Sequence, residues 1–141
     1  MKPRVFLDTN IFIYAFEFQK SNSTKILGLL NQGEIEGIIS ERVLSEVQAY
    51  FKKYYSKDLA GLFRNYLLAS CIVIPSAQVK REMDKYKGKI KDKDLEQLAV
   101  VKRLGLKFLV SYDRDFEPLS EHKTPRQFLR DLGLKPEKTD F

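Results

Sequence analysis

Five acidic residues at separated positions are the side chains of this sequence best suited to chemistry: Asp8, Glu46, Asp94, Asp113 and Asp115. Where a fold brings carboxylates together, each pair ~5 Å apart repels by about 3 kcal/mol at an effective dielectric constant of ~20. Such a group has raised pKa values or needs a cation between its members. Because oxygen ligands without His or Cys select hard cations, the group predicts Mg²⁺ or Mn²⁺. Ions held in this way serve in the attack on phosphodiesters.

Each of these acids also has an ordinary structural explanation, which the local sequence leaves open. Helix capping, helical ion pairing and turn formation all use Asp or Glu. The chemical interpretation therefore depends on several acids sharing one edge of one sheet. The structural alternatives are an N-cap for Asp8, an ion pair of Glu46 with Arg42, a capping box of Asp94 with Gln97, and turn positions for Asp113 and Asp115.

Short apolar runs that alternate with amphipathic stretches predict the elements that must position the acids. Buried strands are predicted at 4–7, 37–40, 71–74 and 108–111. Helices are predicted at 11–18, 21–32, 41–55, 58–70, 76–86, 94–104 and 126–132. Continuously apolar strands are typical of parallel sheets covered on both faces. The sequence therefore predicts an α/β fold, a three-layer α/β/α sandwich with a short parallel sheet of four to five strands.

The acids are placed where open parallel sheets bind their ligands, outside the carboxyl ends of the strands. Asp8 directly follows the first predicted strand, and Asp113 and Asp115 follow the fourth. Glu46 lies in the helix after the second strand, and Asp94 begins the helix that leads into the fourth. The acids meet in one crevice only if the first and fourth strands are neighbours, and this adjacency is an assumption.

Length, charge and the scarcity of Cys and His exclude several classes of protein. The 141 residues and net charge of +6 predict one compact domain, residues 1–141, that favours polyanionic partners. The single cysteine, Cys71, excludes an internal disulfide and a Cys-rich zinc site, and it is expected to pack in the sheet. The single histidine, His122, excludes His-rich metal sites and is expected in a surface loop. Without an apolar segment suited to a membrane span or a signal peptide, we expect a cytoplasmic protein.

The segments around the acids match a known family in their order along the chain. They read VFLDTN at 5–10, SERVLSEV at 40–47, DKDLEQLA at 92–99, LVSYDRDF at 109–116 and TPRQFL at 124–129. Together they resemble the PIN-domain ribonucleases, and are similar to the toxin nucleases of type II toxin–antitoxin systems. The resemblance spans nearly the whole chain. It departs from the family pattern at Ser111, where Thr is common, and at Val100 and Val101, which are bulkier than the usual small residues.

The resemblance implies a metal-dependent endoribonuclease that cleaves single-stranded or looped RNA with Mg²⁺ or Mn²⁺. Its biological role is either that of a toxin held by an antitoxin or that of a housekeeping RNA-processing enzyme. The alternatives outside catalysis are a PIN-like module that binds RNA or protein without cutting, and a flavodoxin-like receiver or phosphatase domain. The implied roles fall on the catalytic metal ligands Asp8, Glu46, Asp94 and Asp113, the accessory acid Asp115, and the orienting residues Asn10 and Ser111.

Basic residues immediately before Asp94 predict the contact with RNA. Residues 80–93 hold seven basic side chains against three acidic ones, and such contacts with phosphates do not depend on base sequence. The alternative is a solvated helix face. The expected partners are RNA, a small antitoxin protein and a second copy of the chain, and the aromatic residues within 51–55 either stack bases or belong to a dimer surface or the core. The candidate RNA-binding residues are Lys85, Lys87, Lys89, Lys91 and Lys93.

Overall fold

The computed structural model describes residues 2–139 and 141 and has a parallel β-sheet at its centre. Within that part of the chain, five strands form one sheet in the order β3-β2-β1-β4-β5. All four strand pairs are parallel. This arrangement confirms the predicted α/β class with its short parallel sheet. The strands are β1 (Arg4–Leu7), β2 (Glu36–Ser40), β3 (Cys71–Ile74), β4 (Phe108–Val110) and β5 (His122–Lys123).

Helices cover both faces of this sheet. Because crossovers between parallel strands are right-handed, the four helices from β1 to β3 cover one face and the two between β3 and β4 cover the other. The last helix, Pro125–Asp131, packs against the second, Asn22–Asn31. The helices are α1 (Thr9–Glu17), α2 (Asn22–Asn31), α3 (Glu41–Tyr54), α4 (Lys57–Ser70), α5 (Lys80–Tyr86), α6 (Leu95–Leu104) and α7 (Pro125–Asp131).

The central strand β1 explains why the sheet is stable and why its carboxyl end is fixed in place. Val5, Phe6 and Leu7 are fully buried, as expected for a strand with helices on both sides. Phe6 pairs with Leu109 of β4, so the first and fourth predicted strands are indeed neighbours. Residues that directly follow β1 and β4 therefore come out at the same edge of the sheet.

The aromatic residues at the C-terminal end of helix α3 lie in two different environments, the core and the surface. Phe51 is fully buried and stacks on Phe63 of α4, with 4.0 Å between the ring centroids. Tyr54 is 60% exposed and Tyr55 is 48% exposed. Of the alternatives for residues 51–55, the core therefore accounts for Phe51, while the two tyrosines remain on the surface.

Three local predictions differ from the structure. His122 was expected in a surface loop, but it lies in the two-residue strand β5, and its Nε2 is 2.9 Å from the carbonyl oxygen of Ser111. A strand of two residues has no apolar period to detect, which explains the error. The helix predicted at 76–86 is a 3-10 turn, Ser76–Val79, followed by α5. The helix predicted at 94–104 begins one residue later, at Leu95, because a second 3-10 turn, Asp92–Asp94, precedes α6.

None of the helices in the described ranges is both long enough and apolar enough to cross a membrane. The longest, α3 and α4, have 14 residues each. A membrane-spanning helix needs about 20 predominantly apolar residues.

Candidate active site

Asp8 lies between β1 and α1 and is held by two hydrogen bonds. Its side chain is the N-cap of α1, with Oδ1 accepting from the backbone N–H of Thr9 at 2.8 Å. Its Oδ2 accepts from Oγ of Ser111 at 2.6 Å. Asp8 is only 6% exposed. The capping alternative is therefore correct, and the same carboxylate also lies at the carboxyl edge of the sheet.

The Ser111 hydroxyl joins the ends of β1 and β4. It accepts from Nδ2 of Asn10 at 3.2 Å and from the backbone N–H of Asp113 at 3.0 Å. Two donors to the oxygen direct its own proton to Asp8. Asn10 makes a second connection, because its Oδ1 accepts from the backbone N–H of Tyr112 at 3.3 Å. Asn10 and Ser111, both predicted to orient other groups, therefore fix the position of the Asp8 carboxylate.

A second group of acids lies where α6 begins and β4 ends. Asp94, Asp113 and Asp115 each contribute a carboxylate oxygen, and these three atoms lie within 4.8 Å of one another. Asp94 is 4% exposed. Although Asp94 is the N-cap of α6, its side chain makes no capping bond, so the capping-box alternative with Gln97 is wrong. Asp113 does form a turn, since its Oδ1 accepts from the backbone N–H of Asp115 at 2.9 Å.

Two lysines of the basic segment contact this second group directly. Nζ of Lys93 lies 3.0 Å from Asp94, 2.8 Å from Asp113 and 3.1 Å from Asp115. Nζ of Lys91 lies 3.1 Å from Asp115. The remaining three candidate RNA-binding lysines have exposed side chains, and two of them lie over the ring of Tyr86. These three are Lys85, Lys87 and Lys89.

Glu46 is positioned on α3 facing α1. Its Oε1 accepts from Oγ1 of Thr9 at 2.9 Å. The predicted helical ion pair is also present, with Nε of Arg42 3.8 Å from Oε2. Within the described residues, the close group of three acids includes neither Glu46 nor Asp8. The structure therefore brings the predicted acids to one edge, but only Asp94 and Asp113 of the four expected ligands are in direct proximity.

The electrostatic environment of Asp8 connects it to the other acids. Burial raises the pKa of Asp8 from 3.8 to about 6, against the opposing effect of hydrogen bonds from Ser111 and Thr9. Repulsion by Glu46 and Asp94 adds to the increase in its pKa. These charges are close enough to destabilise one another, which is the behaviour expected of acids that converge on a cation.

Lys91 and Lys93 affect the pKa values of the acids in the second group to different degrees. Burial raises the pKa of Asp94, while the adjacent Lys93 ammonium opposes this increase. Hydrogen bonds from Lys91 and Lys93 hold the pKa of the more exposed Asp115 below its usual value. Partial burial works against the charge of Lys93, but hydrogen bonds to Asp113 and the two other carboxylates raise its pKa above the usual range.

Two residues of the site were not identified from the sequence. Thr9 connects Glu46 to the end of β1, and its place in the motif at 5–10 was the available signal. Glu96 is buried, with Oε2 accepting from the backbone N–H of Arg42 at 2.7 Å and Oε1 accepting from Oγ of Ser76 at 2.5 Å. It therefore fastens the start of α3 to α6, and no spacing in the sequence indicates this contact.

The donor set of the site fits a hard divalent cation. Among the described residues, the candidate group consists of carboxylates, which are the ligands that Mg²⁺ and Mn²⁺ prefer. His122 is occupied by a backbone carbonyl, and Cys71 lies on β3, at the opposite edge of the sheet from β5. Neither the imidazole of His122 nor the thiol of Cys71 therefore contributes to this group.

Comparisons with solved structures find the same fold in several proteins. A toxin–antitoxin complex from Klebsiella pneumoniae has a TM-score of 0.68 at 22% identity, covering 86% of this chain and 97% of that chain. VapBC-1 from nontypeable Haemophilus influenzae has a TM-score of 0.67 at 17% identity, covering 86% and 98%. VapC20 from Mycobacterium tuberculosis, a Sarcin-Ricin loop cleaving toxin, has a TM-score of 0.60 at 15% identity, covering 81% and 93%. At these identities the likeness establishes the fold alone.

Comparisons of sequence identify the family. A search of curated proteins gives no match. The family model for the PIN domain matches residues 5–121, which include all five candidate acids. The chain therefore belongs to the PIN domain family.

Proposed function

We propose that this protein is a metal-dependent endoribonuclease. The observation that carries the proposal is the group of carboxylate oxygens of Asp94, Asp113 and Asp115 at the sheet edge where the buried Asp8 also lies. Carboxylates this close together repel one another, and a divalent ion between them would relieve that repulsion. Membership of the PIN domain family supports the same conclusion.

The proposed roles of the residues combine what membership of the PIN domain family implies with the contacts in the fold. Asp8, Glu46, Asp94 and Asp113 are the proposed ligands for Mg²⁺ or Mn²⁺, with Asp115 as an accessory acid. A divalent ion at such a site neutralises the scissile phosphate and makes water a better nucleophile. Asn10 and Ser111 hold Asp8 in one orientation, and Thr9 does the same for Glu46. These fixed positions reduce the reorganisation that substrate binding would otherwise require.

RNA is the proposed substrate because of the charge around the site. Lys85, Lys87 and Lys89 are exposed in the segment that leads to Asp94, so their ammonium groups are available to phosphates. Two of them, Lys85 and Lys89, lie over the ring of Tyr86, so an aromatic side chain of the kind that stacks on bases is next to these phosphate contacts. A single strand or loop is favoured over a duplex because its bases are free to stack.

A toxin role is proposed from the solved structures of the same fold. The structure from Klebsiella pneumoniae is a toxin–antitoxin complex, and VapC20 is a Sarcin-Ricin loop cleaving toxin. We therefore propose a small antitoxin as a partner and a homodimer as the assembly. Exposed apolar side chains on the surface of the chain, including Tyr54, Leu62 and Phe16, are consistent with such partners.

The test is cleavage of a mixed single-stranded RNA by the purified protein in Mn²⁺. We expect cleavage that is abolished by EDTA and reduced at least a hundredfold by Asp113→Asn. The matched control is Glu34→Gln, an exposed acid just before β2 at the opposite edge of the sheet, which is expected to leave the rate unchanged. Equal cleavage with and without chelator contradicts metal dependence. RNA binding without cleavage by the wild type supports the non-cutting alternative instead.

A further inference from the structure

We infer that Lys93 is an internal counter-ion of the acid group, whose ammonium occupies the position beside Asp94 and Asp113 that a divalent ion needs. The ion and the ammonium therefore compete, and Lys93 must leave before the ion binds. This inference rests on the proposed function, because it concerns the ion that the proposed nuclease would hold.

The contacts of Lys93 are those of a bound cation. Its Nζ lies within 3.1 Å of Oδ2 of all three acids, with the shortest distance, 2.8 Å, to Asp113. An ammonium has three protons to donate, so the three carboxylates satisfy all of them. Lys93 thus neutralises part of the negative charge that would otherwise be concentrated in a partly buried space.

A divalent ion and this ammonium exclude each other on grounds of both space and charge. Mg²⁺ lies about 2.1 Å from its oxygen ligands. An ion on the side of the Asp94 and Asp113 oxygens that faces Lys93 would be almost in contact with its Nζ, which is itself about 3 Å from those oxygens. Charges of +2 and +1 at such a separation repel strongly in a partly buried site.

The side chain of Lys93 is nevertheless able to leave. It is 48% exposed, so water surrounds about half of it, and the long stem allows the ammonium to swing into solvent. Its backbone lies in the 3-10 turn Asp92–Asp94, directly beside Asp94, so the ammonium is held near the acids by a short tether. A tethered and displaceable cation is a competitor rather than a permanent part of the core.

Neighbouring lysines provide a graded comparison. Lys91 contacts Asp115 alone and is 66% exposed, so it competes for one of the three acids. Lys89 lies in the same basic segment but contacts the ring of Tyr86. Loss of Lys89 changes the net charge by the same amount as loss of Lys93, without changing the acid group.

The experiment is calorimetric titration of the purified protein with Mn²⁺ alone. Lys93→Gln is expected to lower the Kd at least tenfold, Lys91→Gln by a smaller factor, and Lys89→Gln by less than threefold. If the wild type binds Mn²⁺ and Lys93→Gln has the same or a higher Kd, the counter-ion inference is wrong and the metal site of the proposed function remains. If none of the proteins binds Mn²⁺, both the inference and the proposed function fail.

A second measurement uses the unmodified chain and so does not depend on the folding of a variant. Titration with diamagnetic Mg²⁺, followed by ¹³C NMR of the lysine ε-methylene groups, is expected to shift the Lys93 signal while leaving that of Lys89 in place. Saturation by Mg²⁺ with an unchanged Lys93 signal would overturn the inference, since the ammonium would then not have moved.

Discussion

Replacement of Asp8 by Asn is expected to make the metal-free protein more stable at neutral pH. The folded protein raises the pKa of Asp8 from 3.8 to about 6, chiefly through burial. The ionised carboxylate is therefore disfavoured by roughly 3 kcal/mol in the fold, at about 1.4 kcal/mol for each pKa unit. Asn has nearly the same shape, lacks the charge, and keeps an oxygen for Ser111 or Thr9. Asp8→Asn should thus stabilise the metal-free fold by up to about 3 kcal/mol at pH 8.

The same pKa predicts how this gain depends on pH. Between pH 3.8 and about 6 the folded form of Asp8 binds more protons than the unfolded form, so wild-type stability falls as the pH rises through this window. The advantage of Asp8→Asn should be full above pH 7, about 1 kcal/mol at pH 4.5, and absent below pH 3.

The assay is urea denaturation of both proteins in EDTA at pH 8 and at pH 4.5. Glu34→Gln, which removes an exposed acid, is expected to show no such pH-dependent gain. A lower stability of Asp8→Asn at pH 8 would refute the reasoning, because it would mean that the hydrogen bonds of the carboxylate outweigh its burial. An equal gain at both pH values would refute the assigned pKa.

Two further substitutions test the contacts that position the acids. Ser111→Ala removes the hydroxyl that donates to Asp8, so the pKa of Asp8, followed by NMR, should rise further, whereas Ser111→Thr should leave it nearly unchanged; a fall after Ser111→Ala would contradict the contact. Glu96→Ala leaves the first turn of α3 and Ser76 without their shared acceptor, and it should lower the free energy of unfolding by about 1–3 kcal/mol. Urea denaturation measures this loss, and a change below about 0.5 kcal/mol would show that Glu96 does not fasten α3 to α6.

The sequence predicts the sheet well because the central strands are continuous apolar runs. Val5, Phe6 and Leu7 are apolar on both faces, as is typical of a parallel strand covered by helices, and in such a strand the following Asp8 lies at the carboxyl edge. The neighbouring position of β4 was an assumption, since strand order depends on contacts between distant segments. β5 was missed because two residues are too few to form a pattern.

The candidate site could be predicted only in part, because its charges are balanced by tertiary contacts. From spacing alone, the acids are expected either to have raised pKa values or to need a cation between them, and Lys93 is expected to contact RNA. In the fold, that lysine lies among Asp94, Asp113 and Asp115. The direction of one flexible side chain is decided by the neighbours that the fold supplies, and a linear pattern of basic residues does not specify it.

The central claim, that the fold gathers these acids to hold a divalent ion, is tested most directly by anomalous diffraction from crystals soaked in Mn²⁺. We predict one strong anomalous peak bounded by Asp94 and Asp113, with the Lys93 ammonium moved away from it. A saturating soak that leaves this position without a peak, or that places Mn²⁺ only at other acids on the surface, would contradict the claim.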